Sequence, residues 1–275
     1  MTARGVFALR YAYRTASVRG EHFYGHPDCC TDPWPIDYFT WVVLDGDRTV
    51  VVDAGFTPET AAARGDRPYL ESPPELLARV GRRPTDVTDL VLTHLHYDHT
   101  GFLTAYPQAQ VWVQRAEVSF WSSPMADRGA FDHLRHPPDL RALDTLVADG
   151  RAHLLDGDAT LTDAITLHHV GGHTPGMQVV RVVTDGGVVV LASDASHFYA
   201  NVEQDKPYGV VCHLPDMYTA FDRLHDLAGL DGVIVPGHDP GVPGRHPVVA
   251  GTDGLVVDLT ATTPTEGVTH APYQR

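Results

Sequence analysis

Three histidines and an aspartate fall within six consecutive positions, His94-Leu95-His96-Tyr97-Asp98-His99, directly after the apolar run Leu90-Val91-Leu92. Packing a core does not require that density of metal-ligating side chains. Neutral imidazole nitrogens and a carboxylate oxygen suit zinc, manganese, iron or cobalt. The alternation His94-x-His96 sets two imidazoles on one side of an extended segment. Asp98 and His99 are expected to turn toward a neighbouring position as the chain enters a helix. One short loop would then serve two adjacent metals.

Bulk properties set the frame. With 275 residues, 43% hydrophobic and 20% charged, the chain reads as a globular protein with one large core or two modest ones. No run of about 18 apolar residues is present, so no membrane span is expected. Met1 to Arg10 lacks a sustained apolar stretch and a small-residue cleavage site, which points to a cytoplasmic protein without a signal peptide. The net charge of −15 leaves only Lys206 and scattered arginines for a basic face, so nucleic acid is set aside as a partner. Bound divalent ions would still concentrate positive charge at one spot and favour a carbonyl-rich small molecule. Cys29, Cys30 and Cys212 make no disulfide framework and read as reduced thiols.

Along the chain, Tyr38–Leu44 and Thr49–Val52 read as strands joined by the Asp45-Gly46-Asp47 turn. Pro73 to Val80 reads as a helix capped by Ser72. Leu90–Leu92 and Val111–Val113 read as short strands. Residues 118–147 look like a helical excursion broken by Pro124, Pro137 and Pro138. His153–Leu155, Ile165–Val170, Met177–Val183 and Val188–Ala192 follow as strands, the last two joined at Asp185-Gly186-Gly187. Met217 to Leu227 has the spacing of an amphipathic helix, and Gly232–Val235 that of a final core strand. The Thr- and Pro-rich tail after about residue 259 reads as poorly ordered. Strands in both halves interrupted by helices predict a single layered α/β domain over 1–275, with two sheets covered by helices.

Three later segments also place a ligand-type residue just after an apolar strand. These are Gly171-Gly172-His173-Thr174-Pro175-Gly176, then Ser193-Asp194, then Pro236-Gly237-His238. Together with the first loop, this order of motifs resembles the metallo-β-lactamase superfamily over roughly residues 38–240. The resemblance implies a four-layer αββα sandwich with a dinuclear metal site at one edge. It implies that His94, His96 and His173 hold one divalent ion, most simply zinc. Asp98, His99 and His238 would hold the second, with Asp194 bridging. Asp53 matches the family's D-x-G aspartate and would orient a ligand histidine.

Within the superfamily the chain looks most similar to the N-acyl homoserine lactonase group. Lactam-hydrolysing relatives carry cysteine where Asp194 stands, and flavodiiron proteins carry glutamate where His96 stands. The likeness implies a metal-dependent hydrolase that opens a lactone or ester, with N-acyl homoserine lactone a candidate substrate, by attack of hydroxide shared between two ions. A thioesterase or other acyl hydrolase of secondary metabolism is the alternative. The group often carries a tyrosine three residues after the bridging aspartate, where this chain has His197. The leaving oxygen would therefore take its proton from His197, Tyr199 or Asp98. Candidate pocket walls are Phe23, Trp34 and Tyr38 before and within the first hairpin, and Tyr97 and Phe102 beside the ligands. The aromatic segment 22–39 reads equally as a flap over the sheet. Phe120, Trp121 and Met125 are a further candidate wall.

Overall fold

A computed structural model describes residues 2–25 and 31–260. His26, Cys29, Cys30 and the tail from 261 lie outside the described residues. In chain order the strands are β1 (Gly5–Arg14), β2 (Ile36–Asp45), β3 (Arg48–Val52), β4 (Asp89–Val91), β5 (Gln110–Gln114), β6 (Ala152–Leu155), β7 (Ala159–Thr160), β8 (Ile165–His169), β9 (Gln178–Thr184), β10 (Gly187–Ser193), β11 (Val233–Pro236) and β12 (Val256–Asp258). The helices are α1 (Pro58–Arg64), α2 (Pro73–Leu76), α3 (Arg115–Trp121), α4 (Pro137–Ala148), α5 (Tyr199–Glu203), α6 (Leu214–Ala228) and α7 (Val242–Arg245).

Two sheets form. The first has the order β12-β1-β2-β3-β4-β5-β6, the second β11-β10-β9-β8-β7. Period-two alternation shows how they stack. On β2, Tyr38 and Val42 enter the core under the helices, while Phe39, Trp41 and Val43 enter the core between the sheets. On β10, Val189 and Leu191 face the same inter-sheet core, while Val190 and Ala192 meet Met217, Phe221 and Leu224 of α6. Because strands of both sheets are buried on both faces, they read as apolar runs. The result is the αββα sandwich.

The Asp45–Arg48 pairing leaves Gly46-Asp47 as a two-residue turn, with Gly46 at φ 57°. Ser72 and Glu75 form a capping box, the Ser72 amide lying 3.2 Å from the Glu75 carboxylate. The helix they open ends at Leu76 and tightens into a 3₁₀ turn over Leu77–Val80. Two expectations need correction. Pro137 and Pro138 begin α4 instead of breaking a helix, since the first turn has no use for those amide hydrogens. The segment after His96 runs as turns, not as a helix. There the Gly101 amide is taken by the Gly55 carbonyl at 2.6 Å, outside any helical ladder. The largest element missed from sequence is β1, whose GVFALRYAYR is buried at two positions of every three and shows no clean alternation.

Candidate metal centre

The cluster is assembled by strand ends. β4 stops at Val91, shortly before His94. β10 stops at Ser193, beside Asp194, and β11 at Pro236, two residues before His238. β3 runs parallel to β4, and β10 parallel to β11, so both pairs present their C-terminal ends to one edge. The sheets are fastened there by Gln178, whose amide donates to the Thr93 carbonyl at 2.9 Å and whose side chain donates to that of Leu92 at 2.7 Å. His173 arrives on the turn between β8 and β9. Gly172, at φ 86°, lets that turn lie against α6, where a Cβ would stand 2.7 Å from the Met217 backbone.

His94, His96, His173 and Asp194 bring donor atoms together, as do Asp98, His99 and His238. In a four-coordinate site with bonds of about 2.0–2.1 Å, neighbouring donor atoms lie roughly 3.3 Å apart. His173 Nε2 is 3.3 Å and His94 Nε2 3.6 Å from Asp194 Oδ2, and His96 Nδ1 is 3.0 Å from His173 Nε2. On the other side, His238 Nε2 is 3.1 Å and His99 Nε2 3.5 Å from Asp194 Oδ1, with Asp98 Oδ1 3.7 Å from His99 Nε2. The two oxygens of one carboxylate thus face two donor sets. Nε2 of His94, His99 and His238 and Oδ1 of Asp194 are buried with no hydrogen-bond partner among the described residues. Buried polar atoms are ordinarily paired, and a cation in each set would satisfy these. The donor set therefore fits two divalent ions.

Outer contacts fix the opposite ring nitrogens. His99 Nδ1 donates to Asp53 Oδ2 at 2.7 Å, His173 Nδ1 to the Val210 carbonyl and His238 Nδ1 to the Asp37 carbonyl, both at 2.8 Å. Asp53 also accepts from the Thr93 amide and from the Thr93 and Ser193 hydroxyls. Asp53 and Ser193 hold positive φ values of 61° and 45°, backbone strain retained where two strands must turn sharply into the site. Burial, with the neighbouring imidazoles, holds His94 and His96 well below the ordinary histidine pKa, so both are in the neutral form that ligates. Burial opposes a proton on His99, but the carboxylates of Asp53, Asp194 and Asp98 outweigh it and raise its pKa. Of the seven converging side chains Asp98 alone is not fully buried, so it marks the mouth.

The other sequence candidates divide. His197 Nε2 meets Asp194 Oδ2 at 3.0 Å, and its ring lies 4.9 Å from that of His238. Tyr199 is elsewhere: its ring joins the core between the sheets beneath the Arg245 guanidinium at 3.6 Å, and its buried hydroxyl has no hydrogen bond among the described residues. The expectation of Tyr199 as a proton donor is therefore corrected, because α5 starts at this residue and turns its ring away. Tyr38 stands edge-on to His238 at 5.2 Å. The Tyr97 hydroxyl accepts from Arg67 Nε at 3.3 Å, and the Arg64 guanidinium covers its ring. Phe23 and Trp34 pack on Phe198, one ring removed from His197. Phe102 packs against the helix-side core, away from the ring contacts seen among the described imidazoles. Trp121 stands edge-on to His96 at 5.3 Å with Phe120 behind it, while Met125 is exposed.

Two residues near the site escaped sequence reading. Tyr208 stacks on His197 with centroids 3.3 Å apart and is half-buried; burial first, and then the Asp194 and Asp98 carboxylates, raise the pKa of its hydroxyl well above the ordinary tyrosine value. Its loop, Lys206-Pro207-Tyr208-Gly209, carries no ligand neighbour that would have flagged it. Glu117 is a fully buried carboxylate within α3, where a charged residue ordinarily reads as solvated.

The family model for the metallo-beta-lactamase superfamily matches residues 34–238, three-quarters of the chain. The chain belongs to the metallo-beta-lactamase superfamily. The superfamily match ends at His238, the last of the seven converging side chains. An N-acyl homoserine lactonase of Bacillus sp is 30% identical over 134 residues, 48% of this chain and 48% of that protein. The N-acyl homoserine lactonase AttM of Rhizobium radiobacter is 30% identical over 166 residues, 58% of this chain and 61% of its own. This superfamily member thus spans about half the length of the first of these curated relatives. A crystal structure of a quorum-quenching N-acyl homoserine lactone lactonase superposes with a TM-score of 0.73 at 20% identity, covering 87% of this chain and 94% of that one. That likeness is one of fold.

Proposed function

We propose that this chain is a dinuclear-metal hydrolase that opens a lactone, with N-acyl homoserine lactones the first class to try. The observation that carries the reading is Asp194, whose Oδ2 faces His94 and His173 while Oδ1 faces His99 and His238. The relatives named above, lactonases by name, supply the substrate class. His94, His96 and His173 would hold one ion and Asp98, His99 and His238 the other, with Asp194 shared. Imidazole and carboxylate donors without a thiolate suit zinc first, with manganese, iron or cobalt as substitutes. Two such ions would make water nucleophilic near neutral pH and stabilise the oxyanion of an attacked carbonyl.

The chain's own residues do the rest. Asp53 keeps the His99 ring in one tautomer and orientation. Asp98, the one half-buried member of the cluster, would pass a proton toward the leaving oxygen. His197 is held on Asp194, and Tyr208 lies over His197, so the phenol is a further donor to the same oxygen. Tyr38, Phe23 and Phe198 are buried behind the site, so within this aromatic group the half-buried Trp34, edge-on to Phe198, would offer the apolar surface to an acyl chain.

The test is a lactone and thioester panel with metal-loaded protein, alongside metal counting. We expect two ions per chain, opening of at least one acyl homoserine lactone, and loss of turnover on chelation. Thioester cleavage with every lactone left intact would move the chain to the acyl-hydrolase reading. Fewer than two ions in the active protein would overturn the dinuclear one.

A further inference from the structure

Glu117 belongs to neither donor set, yet it is fully buried and touches both loops that build the first set. Its Oε1 accepts the Leu95 amide at 3.0 Å, and Leu95 lies between His94 and His96. Its Oε2 accepts the Gly176 amide at 2.8 Å, three residues beyond His173. Trp121 Nε1 donates to Oε1 at 2.6 Å, and the same indole stands edge-on to His96. Contact between turn and helix is as close as it can be, since a Cβ on Gly176 would stand 2.3 Å from the Glu117 amide nitrogen. One carboxylate thus joins two segments that lie about eighty residues apart in sequence, and a third donor aligns the ring packed on His96. None of these contacts reaches Asp98, His99 or His238.

We propose that Glu117 is a positioning residue for one half of the metal centre, fixing the loops of His94, His96 and His173 relative to each other. The inference rests on the dinuclear reading above. A buried anion with three donors is stable only while all three stay paired, so its geometry is stiff. That stiffness passes to the loops through their backbone amides. Glu117→Gln keeps the size of the side chain but replaces one acceptor oxygen with a donor amide. One of the two loop anchors is then lost.

The experiment counts and weighs metal. Zinc is titrated against a competing chelator in wild type, Glu117→Gln, His238→Ala and the double variant, and melting is recorded for each in excess chelator. Wild type is expected to hold two ions. Glu117→Gln should keep one at wild-type affinity and hold the other about 10–100-fold more weakly, the range for outer partners of metal ligands. His238→Ala should keep the opposite ion, and adding Glu117→Gln to it should weaken that remaining ion. Unchanged affinity for both ions in Glu117→Gln would overturn the proposal. So would equal weakening of both with a lowered metal-free melting temperature, which is what a purely structural role gives. Fewer than two ions in wild type would overturn the dinuclear reading itself and this inference with it.

Discussion

Asp194 shows how much one residue carries at this centre. It is buried among His94, His99, His173, His197 and His238; burial pushes its carboxyl up, but its electrostatic interaction with the histidines, His197 and His238 foremost, outweighs burial and holds its pKa well below the usual carboxylate range. Asp194→Asn removes that charge and one shared oxygen. We expect it to bind fewer than two ions and to lose at least about 100-fold in turnover, in line with loss of a preorganised electrostatic group. Metal analysis and steady-state kinetics on the same preparation check this, and two tightly held ions with wild-type turnover would sink the bridging assignment. His96→Ala should lose metal and turnover together; full activity at unchanged metal content would remove His96 from the first set. At this scale the sequence was explicit. The residues of HxHxDH, GGH, SD and PGH were legible because each sits beside an apolar strand or a glycine. Tyr208 and Glu117 were not, because a tyrosine in a loop and a glutamate in a helix have ordinary roles that sequence spacing does not distinguish.

At the scale of elements, the turn between β8 and β9 is the tightest constraint. Gly172 combines φ 86° with a Cβ position 2.7 Å from the Met217 backbone, whereas a Cβ on Gly171, at φ 69°, would meet only the Asp216 side chain at 3.7 Å. Gly171→Ala should therefore cost about 1 kcal/mol of backbone strain. Gly172→Ala adds a clash with a fixed helix and should cost roughly 2–4 kcal/mol. Denaturant midpoints of the two variants test the ordering, and equal losses would refute the clash. Strands bounded by turns were readable along most of the chain, and the amphipathic face of α6 was read from Met217, Phe221, Leu224 and Leu227. Boundaries near proline were less legible, because Pro137 reads as a break until its place in the first turn is known.

For the whole molecule, metal and protons set stability from opposite directions. Ions that bind only the folded chain should raise the melting temperature, and chelator should lower it, with the size set by free metal relative to affinity. A melting curve indifferent to chelator would argue against a site formed on folding. Burial also pushes His22 and His246 down to about 4 from an ordinary value of 6.5. Between those values the unfolded chain binds protons that the folded chain refuses, so stability is full above pH 6.5. It falls as pH drops toward 4 and gains no further loss below that, with each residue contributing up to about 3 kcal/mol. Replacing both by Gln should flatten the decline over this window relative to wild type, measured by denaturant midpoint against pH; parallel profiles would show that other groups dominate. The sequence by itself determined the donor chemistry, the order of the motifs and the layered class, because ligand-type side chains and hydrophobic periodicity are local properties. Only the tertiary structure decided which atoms meet. The bridging of two donor sets by Asp194, the removal of Tyr199 into the core and the anchoring of two loops by Glu117 all depend on strand ends from two stacked sheets arriving at one edge, and no spacing along the chain encodes that distance.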